Sequence, residues 1–427
     1  MAQKPDPNST LSPQIQNLIA TKLKQAKHDG EQLQTYLNNN DVNGAITQAC
    51  KLINCLSRDG VKSSDAGSGL YPSAFASTVS GAYTNGHVGG ENSKNGGSNS
   101  SSHASLGIGN STSQLLPSKA YYQLWIGITE QLEIFENYLL ELTEKCENPN
   151  GSGTAEQKDL LQDLKQNLYI KVQYQETILS RLYLMTLVGS WLVKKKFENF
   201  RSTFEDLVEM AIGIQSSQRG LFLRAFILQK IRFFIKNHHD YNKIKNLDFI
   251  KIILINFGEM NKLWVRMQYL GHSKDSGKRV TERTHIRMLL GKNLVYMSEL
   301  GDKKLTLEIY EYFILPEILK QAVGSKDKVA QDYLFECLIQ VYNDNFHVAT
   351  SDVFIKQLSS SVRVCDISTI LPQFVERIQE QSLLDVKAGK NSAYYNVSKK
   401  ARNKMKSDYN LIFHFLGWWF FKFFCNK

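Results

Sequence analysis

The chain has 427 residues, 42% of them hydrophobic, with 51 lysines and arginines against 41 acidic residues for a formal net charge of +10. That length suits two or three ordinary domains or one elongated array, and the apolar fraction is enough for a core. Six cysteines with no CxxC pair give no sign of a zinc site or a disulfide framework, so a reducing cytosolic setting is expected.

The opening decapeptide, MAQKPDPNST, has no apolar h-region and does not read as a signal peptide. The positive balance permits contact with nucleic acid or an acidic membrane surface and does not by itself choose between them. No alternation of the RRM type, no finger spacing and no helix-turn-helix pattern is visible, so nucleic acid is not the expected partner.

Residues 1–10 are polar and proline-bearing and are expected to be loose. Ser12 followed by Pro13 predicts a helix start, a cap and then proline at the first helical position. Ile15, Leu18, Ile19 and Leu23 supply its apolar stripe, and Gly30 is expected to end it. A second stripe, Val42, Ala45, Ile46, Ala49, Ile53 and Leu56, completes a helical hairpin over 11–56. Over 57–114 glycine, serine and asparagine dominate and periodicity disappears, which predicts a disordered insertion. Gly67 and Gly69 resemble a phosphate loop only superficially, because no strand precedes them and no GK[ST] follows.

From Leu115 to Gln381 the pattern is helix after helix. Tyr121, Trp125, Ile128, Leu132, Phe135, Leu139 and Leu142 step by three and four residues, and the next helix is expected from Ala155 towards Ser180. Between Pro149 and Pro316 there is no proline, as uninterrupted helices require. Further helices are predicted over 220–236, 247–269, 280–300, 305–323, 328–342, 353–358 and 367–379. Ser202 and Glu205 have the capping-box spacing, so a helix is expected to begin at Ser202. A helix-loop-helix unit of about 40 residues recurring without strict identity predicts an all-α, HEAT-like α-solenoid of stacked antiparallel helix pairs. Residues 382–408 read as a basic linker. Residues 409–427 read as an aromatic apolar tail, shorter than the ~20 residues of a membrane span and able to rest on an anionic interface or to come from a truncated gene model.

The wording RLYLMTLVG (181–189), DLVEM (206–210), RGLFLR (219–224) and NFGEMNKLWVRMQ (256–268) resembles the retromer large-subunit family, vacuolar protein sorting-associated protein thirty-five, in its N-terminal part. The resemblance covers about 115–381 and, more weakly, 11–56. It implies a non-catalytic scaffold without cofactors that binds the arrestin-like retromer subunit, gathers sorting nexins and cargo tails, and supports retrieval from endosome to Golgi. It also implies a cytoplasmic location, peripheral on the endosomal membrane. With the C-terminal part of the family pattern missing, binding of the phosphoesterase-like subunit is expected to be lost.

In that family the motif around Arg181 is associated with docking the arrestin-like subunit, and Ser180 stands where the family usually writes proline. From its residues alone Arg181 is open between a surface arginine with a packed stem and an interface anchor. The partner-binding candidates are Arg181, Leu182, Tyr183 and Leu184, followed by Asp206, Glu209, Arg219 and Arg224. Arg219 and Arg224 also suit ion pairs around a helix crossing at Gly220. Lys278, Arg279, Arg283 and Arg287 make a basic helix face, by default solvated and otherwise a patch for acidic membrane or a sorting nexin. His238, His239 and Asp240 fall in a polar loop without a second ligand set, and no GxSxG, HExxH or P-loop occurs. A membrane-associated helical-repeat adaptor outside retromer and an RNA-binding helical-repeat protein are the two other classes.

Overall fold

The structure is a computed structural model that describes residues 11–57, 116–147, 153–237, 246–270, 275–300, 305–360 and 365–388. The expectations for the N-terminal decapeptide, the Gly/Ser/Asn-rich insertion, the aromatic tail and the His238 loop concern residues outside these. Every regular element among the described residues is helical. In chain order they are α1 (Pro13–Asn38), α2 (Val42–Asn54), α3 (Ser118–Glu147), α4 (Ala155–Gln173), α5 (Ile178–Lys194), α6 (Phe200–Met210) and α7 (Ser217–Lys236). Then follow α8 (Asn246–Arg266), α9 (Ser276–Ser298), α10 (Leu307–Ile309), α11 (Leu315–Gly324), α12 (Lys328–Val341), α13 (Asp344–Ser360) and α14 (Ile367–Ala388).

Local chemistry sets most of the starts. Ser12 accepts from the Ile15 amide with Pro13 behind it, Asp41 accepts from the Gly44 amide at 2.9 Å, and Thr154 and Gln157 form a reciprocal capping box. Five expectations need correction. Gly30 does not end the first helix, because α1 runs on to Asn38; a side chain at position 30 would instead strike Gln131 on α3, so this glycine serves the close approach of two helices. The helix from Ala155 stops at Gln173, and Thr177 caps a new one. The start of α6 belongs to Asn199, whose backbone is extended and whose side-chain Oδ1 accepts from the Arg201 amide at 2.8 Å. Ser202 already lies inside that helix, its hydroxyl donates to the Asn199 carbonyl, and Glu205 pairs with Arg201. Finally, the polar stretch before Val353 is helical: Phe346, His347 and Val348 are buried, Phe346 stacked on Tyr310 and His347 against Phe374 of α14, and Thr350 turns its hydroxyl onto the Phe346 carbonyl. Past Gln381, α14 continues to Ala388.

One local irregularity has a plain cause. Pro316 has no N–H to return to the carbonyl four residues back, and the preceding Tyr310–Ile314 segment widens to a π turn.

Packing follows chain order with few long returns. α1 lies on α2 and α3, α4 on α5, α5 on α6 and α7, α7 on α8, α8 on α9, α9 on α12, α12 on α11 and α14, and α13 on α14. The buried apolar residues form one continuous cluster from Ala26 to Ile378. The chain is thus an all-α solenoid in which each helix pair covers the apolar face of the next. Gly220 sits where α7 crosses α8, with Leu263 2.9 Å from the place a Cβ would occupy.

Replacing Asn199 by Ala is expected to cost about 1 kcal/mol, the usual worth of a lost N-cap, whereas Ser202→Ala costs less than half of that. Urea unfolding of the two variants checks which residue starts α6.

Candidate partner-binding edge

Arg181 occupies the first turn of α5. Thr177, the cap, accepts from the Ser180 amide at 3.2 Å, and the Thr177 and Ser180 hydroxyls and Asn54 Oδ1 on α2 lie within 2.7 to 3.2 Å of one another. Position 180 belongs to the turn where proline is tolerated, so the serine there neither kinks nor straightens the helix; it adds a polar tie to α2. The Arg181 guanidinium grips the Gln175 carbonyl with Nε at 3.3 Å and Nη2 at 2.9 Å, and Cys50 Sγ donates to the Gln175 side chain at 3.2 Å. The turn between α4 and α5 is thereby fixed against α2. Burial pushes the Cys50 thiol up to about 11, so it stays protonated and able to donate at neutral pH.

Around this fixed turn lie apolar side chains in water. Tyr174 is 82% exposed, Ile178 44% and Ile212 59%. Ile178 Cδ1 comes within 3.0 Å of the Cβ position of Gly213, which joins the α4–α5 turn to the α6–α7 turn. Arg266 reaches from the end of α8 to Ser217 Oγ at 2.8 Å and to the Gln215 carbonyl, so the α8–α9 turn, with exposed Tyr269 and Leu270, lies on the same edge. Exposed aromatic and branched apolar residues beside a fixed arginine are the composition of a protein-binding surface.

The remaining candidates divide sharply. Leu182, Tyr183 and Leu184 are buried, and Tyr183 accepts a hydrogen bond from Trp125 Nε1 at 3.0 Å while packing on Phe226. Burial corrects the expectation that they touch a partner; they hold α5 in place. Arg224 is also inside, 3.4 Å from Asn256 Oδ1 and 1% exposed, with its guanidinium lowered to about 10 by burial. Arg283 is likewise not a surface group. It is buried on Trp264, 4.6 Å from the ring, and paired with Asp327 at 2.5 Å, so it cannot face a membrane or a nexin. Of the other α9 residues, Lys278 and Arg287 are exposed, Arg287 over the Tyr333 ring, and Arg279 donates to the Gln268 carbonyl. Asp206 and Glu209 are exposed on α6.

Arg219 has a different task. It donates to the Ser57 carbonyl while its neighbour Gln218 donates to the Leu116 carbonyl at 3.1 Å. Two consecutive residues of α7 therefore fasten Ser57 and Leu116, the described residues on either side of 58–115.

Three features escaped the sequence reading. Helical periodicity runs Tyr174 and Ile178 into one long helix and hides their exposure at a turn; the Thr177 and Ser180 pair is the available signal. The second is the pairing of Gln218 with Leu116, which joins residues 102 apart and has no local signature. The third is an ion triad in which Lys194 and Lys230 each stand 2.5 Å from Glu136. Burial alone would raise the Glu136 carboxyl, but the charges and hydrogen bonds of Lys230 and Lys194 outweigh it and hold the carboxyl below its ordinary range.

Because that folded-state value is depressed, the triad stabilises the fold above the unfolded carboxylate pKa and loses its effect as pH falls through the folded one. Glu136→Gln is expected to cost about 3 kcal/mol at pH 7, leaving two buried ammonium groups without their carboxylate. The gap to the unaltered protein narrows below about pH 4, as chemical denaturation across pH would show.

No helix among the described residues is long and apolar enough to cross a membrane. The family model for vacuolar protein sorting-associated protein 35 matches residues 92–415. Vacuolar protein sorting-associated protein 35A of Arabidopsis thaliana is 37% identical over 280 residues, 64% of this chain and 33% of that protein. Vacuolar protein sorting-associated protein 35 of Dictyostelium discoideum is 35% identical over 281 residues, 65% and 33% of the two chains. The namesake of Schizosaccharomyces pombe is 35% identical over 275 residues, 62% and 31%. The matched region spans about a third of the length of these relatives.

Proposed function

The chain belongs to the vacuolar protein sorting-associated protein 35 family, and from that premise we propose that it is a non-catalytic scaffold of retromer whose α4–α5 edge recruits the arrestin-like subunit. On this reading it helps sorting nexins and cargo tails gather on the cytoplasmic face of endosomes and supports retrieval to the Golgi. The observation that carries the site is Arg181 itself: half-buried, fixed on the Gln175 carbonyl, and flanked by exposed Tyr174 and Ile178. A guanidinium immobilised in this way loses little side-chain entropy on binding and presents its remaining donors to a carbonyl or carboxylate of the partner. The neighbouring apolar side chains supply the area that water leaves. A row of helix pairs with its turns on one edge gives several partners room to bind side by side.

The membrane-adaptor and RNA-binding classes draw on no such feature of the described residues. The exposed basic groups on α9 are scattered between ring and backbone contacts, and one of the four expected there is inside the core.

Arg181→Ala is expected to weaken binding of the arrestin-like subunit by at least ~2 kcal/mol, the hot-spot range. Isothermal titration with a folded variant measures it, and unchanged affinity removes Arg181 from the interface. Tyr174→Ser, at a position that is 82% exposed, is expected to weaken the same binding without lowering the melting temperature.

A further inference from the structure

A second surface, away from Arg181 and independent of the retromer reading, has its own chemistry. α3, α5 and α7 line an open groove of about 520 Å³, within the range of sites that take a small ligand or a pair of side chains. Its lining is apolar at one end of the α3 face, with Tyr122, Trp125 and Ile126, while Phe233 of α7 lies at the other end beside Lys194. Further along α3, Glu130 and Glu133 stand exposed at the mouth. The floor is the Glu136 triad, in which Lys194 and Lys230 each take one carboxylate oxygen.

The charges decide the ligand. Among the lining residues three carboxylates face two ammonium groups, and both oxygens of Glu136 are occupied, so the excess negative charge sits at the mouth with Glu130 and Glu133. Glu133 is held loosely, 3.9 Å from Lys230 and with its side chain 58% exposed, and can turn to a guest. The ring faces here already accept cations: Lys194 stands 4.3 Å from the centre of Phe233. An acidic, aromatic site on a chain of net charge +10 selects a basic partner against the general field of the protein.

The spacing decides its form. From Ile126 to Glu130 and Glu133 the helix rises roughly 6 to 10 Å at 1.5 Å per residue. Two positions apart in an extended strand is about 6.6 Å, with both side chains on the same side. We propose that this groove binds an extended segment of a partner protein carrying an apolar side chain and, two residues away, a lysine or arginine. The apolar side chain sits against Tyr122 and Ile126, and the basic head lies between Glu130 and Glu133.

Fluorescent peptide pools with randomised flanks and a fixed core of Leu-x-Lys, Leu-x-norleucine, Leu-x-Glu or Ser-x-Lys, titrated with the full chain and followed by anisotropy, test this. The Leu-x-Lys pool should bind at least tenfold tighter than the other three. The preference should vanish in the Glu130→Gln, Glu133→Gln double variant, which changes two exposed side chains and should keep its circular dichroism spectrum and melting temperature. Equal binding of the lysine and norleucine pools, a preference that survives the double variant, or binding of none of the pools overturns the proposal. A preference for the glutamate pool would hand recognition to Lys194 and Lys230 and overturn it as well.

Discussion

The fold depends on a helix that has no side to give to water. From Leu179 to Val193 every residue of α5 except Arg181 is buried, so neighbours must close around it, and α2, α3, α4, α6 and α7 do so. No pair of helices could enclose it, which is why a hairpin in this region is not an independent unit. Its large polar side chains are paired inside that enclosure: Trp191 Nε1 donates to Thr143 on α3 at 3.1 Å, and Tyr183 accepts from Trp125. Arg181, the one residue with a route outward, is at the end where the enclosure opens.

That placement separates two kinds of importance within one short motif. In RLYL the two leucines and the tyrosine fix the position of the helix, and the arginine alone reaches an edge. A string of letters does not distinguish the two, because both kinds of residue are constrained. Fractional exposure does.

The helical class and the solenoid were legible because the apolar stripes repeat at helical spacing and few prolines interrupt them. Ser12 with Pro13 marked a start because nothing nearby competes. Ser202 with Glu205 misled because Asn199, three residues earlier, could cap as well, and the choice rests on where the chain leaves the preceding turn. Gly30 misled because a glycine that ends a helix and one that admits a neighbouring helix look alike until Gln131 is seen. Arg283 read as solvated because its partner, Asp327, is 44 residues away; buried ion pairs between helices are set by tertiary packing and leave no periodic trace. For Arg181 the residues alone left surface and anchor readings open, and the Gln175 carbonyl that it grips is invisible without the turn.

The fastening of Ser57 and Leu116 by Arg219 and Gln218 makes the junction between α2 and α3 a graft point. Both ends of the intervening sequence are tied to one helix, and lengthening a loop between fixed ends adds closure entropy that grows with the logarithm of its length, about 0.6 kcal/mol per doubling. Foreign sequence, even a folded reporter whose termini lie close together, should be accommodated there with the register of every helix kept.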